Sequence, residues 1–89
     1  MKRIEKNAIY FDVDVNGRPF EVMIETGGKF EGMVHIFDKS KKKSRNQDVV
    51  VSGAVFTSGQ LIALEEDIFE PIDGLLEAAE QGISRLTLN

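Results

Sequence analysis

An α+β fold is predicted for this chain: an antiparallel β-meander of about five strands, one C-terminal amphipathic helix packed on one sheet face, and a short final strand. Three observations predict it. Asn16-Gly17 sits between two runs that alternate apolar and polar residues, as a two-residue hairpin requires. Further glycine turns, at Gly27-Gly28 and Ser58-Gly59, punctuate later runs rich in β-branched residues. Past Asp67 the apolar spacing lengthens to that of a helix. At 89 residues the chain has room for one domain, 1–89, with a single modest core and little space for a deep enzymatic cleft.

The first hairpin covers residues 8–26, AIYFDVDVNGRPFEVMIET. Pairing Val15 with Arg18 places Val13 opposite Phe20, Phe11 opposite Val22 and Ile9 opposite Ile24, all on one face. In the next pair a two-residue loop would mix the faces. A three-residue loop, Gly27 to Lys29, keeps them apart, with Gly32 opposite Ile24, Val34 opposite Val22 and Ile36 opposite Phe20. That register lines up Tyr10, Met23 and Met33 on the opposite face, with Asp12, Glu21 and His35 as the next row and Phe37 and Pro19 extending it. A second face so nearly half apolar is either covered by later chain or used in association.

DKSKKKSRNQD, residues 38–48, is the one long irregular connection. Beyond it, Val49 to Val51 and Ala54 to Thr57 favour strand. Residues 58–66 admit two readings. A hairpin through Ser58-Gly59 sets Phe56 against Leu61 and Val55 against Ile62; a helix would use Ser58 as its N-cap. The hairpin is favoured because Gly59 is a poor first helical residue. From Asp67 onward, Ile68, Ile72, Leu75, Leu76 and Ala79 form one helical stripe, with a cap at Asp67 or Glu70 and Pro71 in the first turn. Gly82 reads as the residue just past the helix, followed by ISRLTLN as a closing strand or tail.

Composition narrows the function classes. With no cysteine, disulfides, thiolate nucleophiles and cysteine metal sites are all removed, which fits a cytoplasmic setting. MKRIEKNAIYF lacks the apolar run of a signal peptide, and no stretch is long and apolar enough to span a bilayer, so no membrane partner is expected. The net charge is −4, unevenly spread: residues 38–48 hold five bases and two acids, whereas residues 60–81 hold seven acids and no base. Such a polar molecule can steer partners or favour head-to-tail contact at low salt.

Candidate chemistry is sparse. His35, the sole histidine, faces Glu21 in this register with Asp12 beyond, which reads as a cross-strand charge pair; a proton-transfer pair would also need a nucleophile and a shaped cleft. One His and two carboxylates on a strand face would make a weak, open metal site. None of the serines at 40, 44, 52, 58 and 84 lies in a nucleophile-elbow pattern, and TGGKFEG lacks the spacing and following helix of a phosphate loop. Neither catalysis nor a cofactor is expected.

Lys39, Lys41, Lys42, Lys43 and Arg45 carry the alternative. On an inter-strand arm they could neutralise phosphates, with Tyr10, Phe30 or Phe37 near enough to stack on bases; otherwise they form a solvated connection that shields sheet edges. GQLIALEEDIF, residues 59–69, resembles the last-strand-to-helix junction of the small dimeric single-stranded-DNA-binding transcriptional coactivators of the positive-cofactor type: a glycine, an alternating strand ending in Leu64, and an aromatic at Phe69. The resemblance implies a strand-rich dimer with a basic inter-strand loop toward nucleic acid, and it operates by analogy of fold. The acidic remainder of the chain would repel a polyanion, so the favoured expectation is different. It is a non-enzymatic binding or assembly module, a homodimer formed through Tyr10, Met23, Met33 and Phe37, with an unspecified protein partner besides.

Overall fold

A computed structural model describes residues 2–40 and 48–87. Six antiparallel strands run in sequence order across one sheet: β1 (Lys2–Glu5), β2 (Ala8–Val15), β3 (Arg18–Glu25), β4 (Met33–Asp38), β5 (Val49–Thr57) and β6 (Gln60–Ile62). A 3-10 turn (Glu65–Asp67) and helix α1 (Leu75–Thr87) follow. The α+β meander with one C-terminal helix is therefore the fold, with β1 as a strand that the basic N-terminal residues did not announce. Helix α1 packs against both β2 and β6, so the sheet curls around it to give a body of 29 × 25 × 24 Å.

The first hairpin has the expected register: Val15 pairs with Arg18, Val13 with Phe20, Phe11 with Val22 and Ile9 with Ile24. Asn16 and Gly17 both take positive φ, 54° and 83°, the geometry of the mirror-image turn that suits twisted strands. Asp14 Oδ1 accepts the Gly17 N–H at 2.9 Å and braces the turn. The Ser58-Gly59 hairpin also follows expectation, with Phe56 opposite Leu61 and Val55 opposite Ile62. Residues 60–62 are strand, and residues 65–67 form the 3-10 turn.

Between β3 and β4 the register differs from the three-residue loop. Ile24 faces Val34, Val22 faces Ile36 and Phe20 faces Asp38, a shift of two residues that leaves every side chain on its expected face. The connection spans residues 26–32, closed by the Gly32 N–H donating to the Glu25 carbonyl at 2.8 Å. The Thr26 N–H donates to the Asn7 carbonyl at 2.8 Å, which continues the β2–β3 ladder one pair beyond Ala8 and Glu25 and seats the start of the loop on the turn between β1 and β2.

Strand β5 carries two irregularities, which skip Val50 and Gly53 in the pairing with β4. Gly53, at φ +89°, is the extra residue of a bulge and lies against the Asp67 carboxylate. At the other irregularity Val50 and Val51 both turn inward and are buried. The chain after β6 detours through the 3-10 turn and rejoins β5, with Ile68 bridging Val51 and the Phe69 N–H donating to the Val50 carbonyl at 2.8 Å.

The helix departs most from expectation. It begins at Leu75, since Gly74 at φ +86° is not helical and its carbonyl accepts the Ala78 N–H at 3.0 Å. Ile68 and Ile72 therefore belong to the extended approach. Gly82 lies inside the helix, and residues 83–87 continue it where a closing strand was expected. The reason is contact: a Cβ on Gly82 would overlap Phe11 Cε2. The missing side chain lets the helix settle on the sheet. Leu75, Ala79 and Ile83 complete a core otherwise built from Phe11, Val15, Phe20, Val22, Ile24, Val34, Ile36, Val50, Val51 and Ala54.

Candidate functional site

Helix α1 fills the concave face, no element among the described residues layers the other face of the sheet, and alternation along each strand decides what it shows. Pairing builds it in rows. One row crosses from Arg3 through Tyr10, Met23 and His35 to Ser52. A second runs Asp12, Glu21, Phe37, Val49. A third joins Met33 to Val55 and Val55 to Ile62, ending at the sheet edge.

Tyr10, Met23, Met33 and Phe37 thus share this outer face, each half-buried. The expected rows are corrected by the register shift: His35, not Met33, continues the Tyr10–Met23 row, and Phe37, not His35, follows Glu21. Val55 and Ile62 are the apolar residues that sequence reasoning missed, at 42% and 50% exposure. Their alternation is visible in the sequence, but the Gly53 bulge decides which β4 residue each extends. Arg3 lies over the Tyr10 ring at 3.9 Å and holds Glu5 at 3.2 Å, so the β1 end of the face is capped by charge.

His35 does not pair with Glu21. Its Nε2 lies 3.9 Å from Glu25 Oε2 and its Nδ1 3.4 Å from Ser52 Oγ. Serine, imidazole and carboxylate in a row invite comparison with a hydrolytic triad, which needs nucleophile–base and base–acid hydrogen bonds near 2.6–3.2 Å. Both separations here are longer, and the hollow formed by Glu25, Phe30, Met33 and His35, about 280 Å³, is broad and open to solvent. The row is suited to polar cross-strand packing. Among the described residues no three His, Asp or Glu side chains gather closely enough to hold a metal ion, so the His35, Asp12 and Glu21 set does not assemble.

The basic connection is described only at its ends. Lys39 Nζ lies 3.1 Å from Asp12 Oδ1 on the outer face, and the Asp38 N–H donates to the Asp48 carbonyl at 2.7 Å, closing the root. Lys41, Lys42, Lys43 and Arg45 lie outside the described residues.

At that root sits a polar cluster that the sequence reading did not single out. Asp38, 1% exposed, receives the Arg18 guanidinium at 2.7 Å on Oδ2 and the Ser40 N–H and O–H at 2.9 and 2.6 Å on Oδ1. Burial pushes the Asp38 carboxyl up, but the bonds from Ser40 and Arg18 outweigh it and hold it down at about 2. Arg18 also donates to Glu70 Oε2 at 3.0 Å, and bonds to these two carboxylates raise its pKa. One guanidinium thereby ties β3, the end of β4 and the approach to α1. The only hint in the sequence was an Arg directly after the Asn16-Gly17 turn.

No protein-family model matches this chain, and no curated protein or solved structure matches it. The junction behind the coactivator resemblance also differs in form, because residues 63–74 intervene between β6 and the helix. Among the described residues no helix is long and apolar enough to cross a membrane.

Proposed function

We propose that this protein is a small non-enzymatic binding module that pairs with a second copy of itself through the outer face of its sheet. The observation that carries the reading is the Met33–Val55–Ile62 row, which brings apolar side chains to the edge of a face that no described element covers. Inward of it Met23, Tyr10, Phe37 and Val49 alternate with His35, Ser52, Glu21 and Asp12, so the apolar surface is strongest toward β5 and β6 and mixed beyond. A two-fold axis beside that row would apply one patch twice and pair its apolar residues with their copies. Sedimentation equilibrium should return a dimer at micromolar concentration and a monomer for the Val55→Lys/Ile62→Lys double variant. A wild-type monomer throughout the micromolar range would overturn the reading.

A second reading, single-stranded nucleic acid on Lys39, Lys41, Lys42, Lys43 and Arg45, is favoured by one observation. Arg3 over Tyr10 joins a cation to an aromatic ring on the same face as Lys39. It ranks second because Lys39 is already paired with Asp12 and the outer face carries further acids. Fluorescence titration of an oligothymidylate at 150 mM salt should show no saturable binding; tight binding that weakens steeply with salt would reverse the ranking.

A further inference from the structure

We infer that the trough beside Ile68 and Pro71, on the helix side of the molecule, docks a basic polypeptide segment carrying a single apolar anchor. Two hollows meet there. One, about 120 Å³, is walled by Val51, Ile68, Pro71, Ile72, Leu75 and Leu76. The other, about 390 Å³, lies against the same Ile68 and Pro71 and reaches Glu65. The smaller falls short of the about 150 Å³ that holds a benzene ring, so it has room for one aliphatic side chain.

Charge selects the occupant. Glu70 and Asp73 line the smaller hollow and Glu65 the larger. Residues 60–81 contain seven acids and no base, and among the described residues neither Glu65 nor Asp73 has an ion-pair partner. A nucleic acid or an acidic segment would be repelled. A Lys- or Arg-flanked apolar residue fills the hollow and neutralises its rim, and the field that attracts it extends over about 8 Å at physiological salt. Backbone geometry holds the trough open: the Phe69 and Glu70 N–H groups both donate to the Val50 carbonyl, and Arg18 holds Glu70 from behind. The outer sheet face takes no part, so self-association and this docking can stand or fall separately.

The test is selection from a phage-displayed library of random dodecapeptides on the full chain, followed by anisotropy titration of the enriched peptide. Enrichment of one apolar residue flanked by Lys or Arg is expected, with binding about tenfold weaker to Glu65→Gln/Asp73→Asn and unchanged for Val55→Lys/Ile62→Lys. A version of the peptide with its apolar anchor replaced by Ser should bind at least tenfold less tightly. Enrichment of no such motif overturns the inference. So does equal binding of the Ser version, which would mean charge attraction alone, or competition of the peptide with self-association, which would place it on the sheet face.

Discussion

Asp38 loses nearly all contact with water yet stays charged because three donors converge on its carboxylate. Its carboxyl titrates at about 2 in the folded chain against 3.8 ordinarily, so folding favours the ionised form. The contribution is present in full above about pH 4 and is lost as pH falls through about 2. Asp38→Asn should therefore lower the melting temperature at pH 7, and its difference from wild type should narrow between pH 4 and pH 2. A difference independent of pH would show that the carboxylate charge is not what the cluster uses. Asp38 opens the basic stretch and looked like loop: Ser40 is within its local reach, two residues on, but Arg18 meets it only once β3 and β4 pair.

For the elements, the two hairpins with two-residue turns were legible because turn chemistry and alternation specify the same register. Helix α1 was legible as an apolar stripe and misplaced by a turn or more at each end. Gly74 and Gly82 exchanged roles: one ends up outside the helix at positive φ, the other inside it against Phe11. Periodicity does not distinguish a glycine that stops a helix from one that lets it approach a sheet. Gly82→Ala should gain roughly 1 kcal/mol of helix propensity. The added methyl would overlap the buried Phe11 ring, however, and overpacking of this kind costs about 1–3 kcal/mol, so the variant should melt lower than wild type. Adding Phe11→Leu should recover part of the loss, and strictly additive effects of the two changes would refute the contact. At the free edge of β6 the Leu61 N–H donates to Glu80 Oε2 at 2.8 Å, so the helix also shields the edge from pairing with other chains.

For the molecule as far as its described residues go, one helix covers one face of a curled sheet and no element covers the other. If that face pairs two copies, the melting temperature should rise with protein concentration, since association stabilises the folded state by mass action. Val55→Lys/Ile62→Lys should abolish the dependence while costing little monomer stability at such exposed positions. A melting temperature flat in concentration for wild type would count against pairing. The charge asymmetry belongs to this scale as well. Its acidic pole gathers around the approach to α1, the rim of the proposed docking trough, while the described part of its basic pole, Lys39, is drawn onto Asp12.

The meander, the two tight hairpins, the faces taken by the apolar residues of β2 to β4 and the existence of a C-terminal helix were set by the sequence alone, because they follow from local chemistry and from periods of two and 3.6 residues. Tertiary structure decided the rest. A shift of two residues between β3 and β4 conserves faces and so leaves no trace in the pattern. The partner of His35, the anchoring of Asp38 by Arg18 and the burial of Gly82 against Phe11 likewise join residues far apart in the chain. Such pairings depend on how strands and helix meet in space, which no local pattern encodes.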